Sequence, residues 1–196
     1  MRRYAAVQAG DDVQAVAMER ILATAERLFY LEGIRATGVD RLIAASGVTK
    51  VTFYRQFASK DELILAVLEQ RHLRWMTWFS DALKRHGGQP GALVPALAEW
   101  LRSPTYRGCA FINSVGELEG MEAVRRLSHD HKLDMQQAIE ALLPVSRTRS
   151  EVAAALAVAA DGAMVRAQVD GRPEPALRAL ERVLPQAYAG SRNFYN

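Results

Sequence analysis

The sequence predicts an all-α protein of about nine helices, and three observations carry that expectation. Apolar residues recur three and four apart along most of the 196 residues, as helices with one buried face require. No stretch shows the period-two alternation of a half-buried strand. Glycine and proline stand at the ends of the periodic segments, where helices stop.

The first helix is expected over 12–32. Val16, Ile21, Leu22, Ala25, Leu28 and Phe29 recur at helical spacing and Gly33 supplies the stop. Residues 1–11 lack that periodicity and are expected to form a mobile arm, with Arg2 and Arg3 as solvated charges.

Residues 37–60, TGVDRLIAASGVTKVTFYRQFASK, spell two short helices joined by a tight turn. Thr37 followed three residues later by Asp40 is a helix-start pattern, because side-chain oxygens satisfy the first free amides. Leu42 and Ile43 give the first of these helices its apolar contact. Gly47 sits where the backbone needs φ > 0. Thr49 caps the next helix, Val48 staples its entry, and Phe53 and Phe57 form an apolar stripe at i, i+4. With that stripe inward, a 100° wheel turns Val51, Thr52 and Arg55 outward and leaves Tyr54 and Gln56 on the flanks. This face carries no carboxylate, as a surface laid on phosphates and base edges in a major groove requires. Ser59 with Glu62 opens a further helix, and Lys60 falls in its first turn.

From Ile21 to about Leu68, the segments ILATAERLF, Gly33, GVDRLIAASGV, TFYRQF and SKDEL resemble, in order and spacing, the DNA-binding domain of the tetracycline-repressor (TetR) family of bacterial transcription regulators. Val51 and Ile43 depart from the family, which often has glycine and alanine there. Val51 lies on the outward face, so its departure bears on which bases are read. The resemblance implies a helix-turn-helix DNA-binding domain over 12–60 and an effector-binding and dimerisation domain over 61–190. Together with the wheel, it implies that Thr37, Thr49, Lys50, Thr52, Tyr54 and Lys60 hold phosphates, while Val51, Arg55 and Gln56 compete for base edges. The alternative to solvation for Arg2 and Arg3 is a neighbouring minor groove, which basic arms of other DNA-binding modules enter.

The helix opening at Lys60 is expected to run to Arg85, ended by Gly87, Gly88 and Pro90. At 1.5 Å per residue it is a rod of roughly 37 Å, suited to act as a lever between a ligand site and DNA. A short helix follows over 92–101, with Pro95 tolerated in its first turn. RGCAFINSVGELEG resembles a segment in one branch of the same family and opens a sixth helix. Helices over 121–143, 149–169 and 175–188 complete the chain, and GSRNFYN is expected to fray.

The eighth helix is rich in alanine and has Gly162 inside it. An interior glycine costs about 1 kcal/mol relative to alanine, which close approach of another helix offsets. In the resembling family the last two helices of each subunit form a two-fold four-helix bundle. That implies a homodimer here, with Ala155, Ala159, Gly162, Leu177, Leu180 and Leu184 at the interface. Trp75, Trp78, Phe79, Trp100, Tyr106 and Phe111 make the middle of the chain aromatic. They are core residues, or in part the lining of an effector cavity in which Trp75, Phe79, Trp100 and Phe111 meet the polar Asn113, Glu117, His131 and Arg166.

The chain holds 25 Lys/Arg and 22 Asp/Glu, a net +3. Through residue 60 it has nine Lys/Arg against six Asp/Glu, so the excess lies in the segment expected to meet DNA. The single Cys109 excludes an internal disulfide and fits a reducing cytoplasm; beside Arg107 and Gly108 it is a buried hydrophobe or a sensing thiol. MRRYAAVQAGDD lacks the apolar core of a secretory signal. The longest wholly apolar run, 152–160, falls short of the roughly 20 residues a bilayer span needs. The four histidines show no metal-ligand spacing. No nucleophile elbow, phosphate loop, dinucleotide fingerprint or paired carboxylates are present, so neither catalysis nor a cofactor is expected. The expected function is a ligand-responsive, dimeric DNA-binding regulator, most simply a repressor released from a palindromic operator by a small, largely apolar effector. The competing readings are an enzyme with the tryptophan-rich pocket as active site, and a constitutive DNA-binding or protein-interaction dimer whose cavity is filled by side chains.

Overall fold

A computed structural model describes residues 2–189, with side chains placed from 14 to 185. Nine α-helices and no strand occur among the described residues: α1 (Arg2–Glu32), α2 (Val39–Ser46), α3 (Lys50–Gln56), α4 (Lys60–Arg85), α5 (Leu93–Leu101), α6 (Ala110–Glu117), α7 (Glu122–Glu140), α8 (Arg149–Asp170) and α9 (Glu174–Ala189). A 3-10 turn, Pro90–Ala92, precedes α5 and places Pro90 where its missing N–H is harmless.

The chain clusters into two compact units. One takes residues up to Arg71 together with Ser114–Val124; the other takes His72–Asn113 and the chain from Arg125 onward. The first unit is built on the buried Ile21, Ala25, Leu28, Phe29, Leu42, Phe53, Phe57, Leu63 and Val67. Arg71 ties α4 to α1 there, reaching Glu26 at 3.1 Å and lying 4.1 Å over the Tyr30 ring. In the second unit, Phe79, Leu93, Leu97, Phe111, Met135, Ile139, Leu156, Met164 and Leu180 are buried, and α8 packs along α9.

Two expectations need correcting. Helix α1 begins at Arg2 instead of near residue 12. Residues 2–11 hold good helix formers and no proline, so a helix already anchored from Ile21 onward extends outward without an apolar stripe of its own. The side chains of Arg2 and Arg3, and the tail from residue 190, lie outside the described residues. Helix α2 begins at Val39 with Gly38 as its cap and no side-chain cap bond, so Thr37 and Asp40 do not form the expected start. Helix α8 is long and apolar enough to cross a membrane by length and composition, although its longest uncharged stretch is short. Ala153, Leu156, Ala160, Ala163, Met164 and Ala167 are buried in the second unit, and Asp161 accepts an ion pair from Lys132 at 2.6 Å. It is a core helix.

Candidate nucleic-acid interface

The turn between α2 and α3 depends on Gly47. Its φ of 64° and ψ of 30° are left-handed, and its N–H closes α2 on the carbonyls of Ile43 (3.1 Å) and Ala44 (3.3 Å). A Cβ there would meet Arg20 Nη2 at 2.6 Å, while that nitrogen donates to Gly47 O at 3.4 Å. Glycine is thus required both for the turn and for the approach of the arginine.

Helix α3 then starts as its sequence dictates. Thr49 Oγ1 accepts the Thr52 N–H at 3.1 Å and lies 2.9 Å from the Thr52 hydroxyl. Phe53 and Phe57 are buried at 0% and 4% exposure, which fixes the rotation of the helix. The outward side presents Lys50, Val51, Tyr54 and Arg55, with Thr52 and Gln56 half-buried at its edges. Val51 is 68% exposed, so its methyl groups stand free, and Tyr54 is held edge-on by Phe53 at 5.4 Å between centroids. Cation, phenol and apolar groups with no carboxylate among them suit the negative, methyl-bearing floor of a major groove. At the next helix start, Ser59 Oγ accepts the Glu62 N–H at 3.1 Å and Glu62 reaches back to the Ala58 N–H at 2.8 Å.

Two residues expected on phosphates are engaged elsewhere. Thr37 is fully buried and its hydroxyl donates to Gly33 O at 2.7 Å. Lys60 is half-buried, with Nζ donating to Ile34 O at 2.6 Å and 5.9 Å above the Phe29 ring. Burial holds its pKa below the ordinary lysine value, against the favourable charges of Asp61 and Glu117. Arg20 was invisible to the local motif because it lies 27 residues before Gly47. It joins Val16, Ala17, Gly47, Val48, Thr49 and Thr52 in lining a groove of about 400 Å³ beside the start of α3.

The second unit gathers an aromatic cluster. Trp75 stacks on Phe79 (4.7 Å between centroids) and meets Trp100 (5.4 Å) and His131 (5.0 Å) edge-on. His131 is buried, stacks on Phe111 at 3.7 Å, and its Nδ1 lies 3.2 Å from Nδ1 of His72. His72 in turn approaches Asp134 at 3.4 Å. Trp75 Nε1 is buried with no hydrogen-bond partner in the described structure, where an unmet donor costs about 1–3 kcal/mol. Five expected ligand residues are therefore together: Trp75, Phe79, Trp100, Phe111 and His131.

The other three are not. Asn113 bonds Arg107 O at 2.9 Å and Gln168 at 3.5 Å, fastening the chain before α6. Glu117 belongs to the first unit, accepting the Arg35 N–H at 3.0 Å. Arg166 is exposed and pairs with Asp170 one turn on, at 3.2 Å. Side-chain reach across a helix, not sequence proximity, decides these placements.

Residues 21–67 match the model of the bacterial regulatory proteins of the tetR family. SCO4454, a TetR-family transcriptional regulator from Streptomyces coelicolor, is similar over 95% of each chain, with a TM-score of 0.79 and 30% identity. The chain is a TetR-family transcriptional regulator. An HTH-type regulator in the lacX 3′ region of Lactococcus lactis is 28% identical over 109 residues, 53% of this chain and 56% of that protein. The HTH-type transcriptional activator FasR of Mycolicibacterium smegmatis is 43% identical over 54 residues, 28% of this chain and 24% of that one. The chain thus spans about half the length, or less, of these curated relatives. The family and these relatives are DNA-binding regulators and not enzymes.

For a TetR-family regulator, the expected dimer residues divide in two. Leu177, Leu180 and Leu184 are buried at 5%, 2% and 4% exposure within a single chain, because α9 needs its leucines to hold α8 and α5. In the single chain they are core residues. Ala155 and Gly162 are exposed and Ala159 half-exposed. Val158, Val165 and Val169 extend that stripe at 71%, 42% and 72% exposure. Periodicity missed these valines because α8 is apolar on both sides.

Proposed function

We propose that this regulator is a ligand-responsive homodimer that represses transcription from a palindromic operator in the cytoplasm. The reading takes 12–60 as the DNA-binding domain and 61–190 as the effector-binding and dimerisation domain. The observation that carries it is the exposed face of α3: Lys50, Tyr54 and Arg55 around Val51, fixed in rotation by the buried Phe53. Two-fold pairing through Ala155, Val158, Ala159, Gly162 and Val165 on α8 supplies two readers for two half-sites.

The effector reading rests on Trp75 Nε1, a buried donor inside an aromatic cluster. A small, largely apolar ligand carrying one acceptor oxygen recovers that bond while burying its rings against Phe79, Trp100 and Phe111. It releases DNA only by binding the two states with different affinity.

Selection of bound duplexes from a random pool tests the DNA half. An inverted repeat is expected; recovery of no motif at moderate salt contradicts it. Titration with 2-acetylnaphthalene and 2-ethylnaphthalene tests the effector half. The ketone is expected to bind about fivefold tighter, the worth of roughly one hydrogen bond, and Trp75→Phe to erase the difference. Equal binding of the two to the unaltered protein removes the proposed donor role.

A further inference from the structure

The turn joining α1 to α2 is held by side chains that lie outside it. Gly33 takes φ +93° and its N–H bonds Phe29 O at 3.1 Å. Thr37 closes the turn locally, through its hydroxyl to Gly33 O at 2.7 Å and its N–H to Ile34 O at 3.3 Å. Ile34 O also accepts Lys60 Nζ at 2.6 Å. On the amide side, Arg35 N–H donates to Glu117 Oε2 at 3.0 Å. That carboxylate comes so near that a Cβ on Gly33 would stand 3.2 Å from it. Gly33 therefore provides the left-handed backbone and the room for Glu117 together. Glu117 ends α6, 82 residues beyond Arg35 and outside the 21–67 segment matched by the family model.

We infer that Glu117 is a positioning residue of the DNA reader, acting through its hydrogen bond to the Arg35 amide. Helix α2 starts at Val39 without a side-chain cap, so its direction is set by the turn before it. Leu42 and Phe53, both fully buried, then set the attitude of α3. The bond supplies an acceptor to the Arg35 amide from outside the turn, beside the Lys60 bond to Ile34 O. Loosening it lets α2 and α3 depart from the geometry a specific site demands. Unspecific phosphate contact, which tolerates many orientations, is left intact.

Acceptor and charge are separable by substitution. Glu117→Gln keeps an oxygen acceptor without the charge, whereas Glu117→Ala removes both. Glu117→Met, of similar length with no oxygen, repeats the comparison should alanine lower the thermal midpoint. Affinity is read by fluorescence anisotropy on the selected operator and on a random-sequence duplex. For the Ala and Met variants, operator affinity is expected to fall five- to tenfold while random-duplex affinity holds or rises up to twofold. For Glu117→Gln the operator-to-random ratio is expected within twofold of the unaltered protein. An unchanged ratio in the Ala and Met variants overturns the inference, as does an equal shift of both affinities in all three, which marks a purely electrostatic role.

Discussion

Helix α3 buries Phe53 and exposes Lys50, Val51, Tyr54 and Arg55, so its two sides differ in chemistry. Helix α8 buries Ala153, Leu156 and Ala160 and exposes Ala155, Val158, Val165 and Val169 beside the charged Arg166, so both of its sides are largely apolar. The difference separates a surface suited to a charged, hydrated partner from the one we propose meets a second copy of α8. For α3, residue type reveals which side faces outward. For α8, only the packing of α9 against it reveals that.

The largest way to break this comparison is to remove the anchor of α3. Phe53→Ala is expected to cost about 3–5 kcal/mol of the first unit's stability, the usual cost of truncating a buried aromatic, and to abolish operator binding. Chemical denaturation followed by tyrosine and tryptophan fluorescence measures it; a loss below about 1 kcal/mol means that the Phe53 site collapses without consequence.

Next in size is a charge on the exposed side of α8. Val158→Glu replaces a side chain that is 71% exposed in one chain, so the subunit itself remains folded. Sedimentation is expected to show monomer, with operator affinity down about 100-fold as the two half-sites lose their linkage. A dimer of undiminished strength places the interface elsewhere.

These two surfaces also mark how far the sequence could be read. The reader was legible because its determinants are local: Gly47, Thr49, Phe53 and Phe57 act within a few residues of one another. Its long-range ties were not, since Arg20, Lys60 and Glu117 reach it from one helix before, one after and one far downstream. Thr37 looked like a cap by spacing and proved to be a buried hydroxyl returning to Gly33 O. The aromatic cluster was visible as composition, but the partnership of His131 with His72, 59 residues earlier, depends on how α4 meets α7. Leu177, Leu180 and Leu184 were correctly seen as apolar, yet an apolar residue says nothing of whether its partner lies in the same chain or the next.

Smaller effects sharpen the picture. Thr49→Ala removes the acceptor for the Thr52 N–H and is expected to cost about 1 kcal/mol, the ordinary worth of an N-cap, read as a lower denaturation midpoint of the DNA-free protein. An unchanged midpoint means that solvent caps α3 equally well.

The smallest expected effect is a pH dependence on the surface. The His86 ring at 2.6 Å and Arg85 at 2.8 Å hold the Glu99 carboxyl below its ordinary pKa. A carboxyl lowered in the folded state contributes stability above the ordinary carboxylate range and loses it as pH falls through the lowered value. Solvent screens so exposed a group, so a slight decline in thermal midpoint on acidification is expected, and Glu99→Gln should flatten it. An identical acid limb in that variant assigns the decline to other carboxylates.

The most direct measurement is a parallel selection from one random DNA pool with the unaltered protein and Arg55→Ala. If the outward side of α3 reads sequence, both recover the same half-site spacing, and the variant loses preference at one position in each half-site, worth about 1–3 kcal/mol for a base contact. Recovery of identical motifs, with affinity lowered uniformly at every position, would contradict base reading by this residue and leave Arg55 as a phosphate contact.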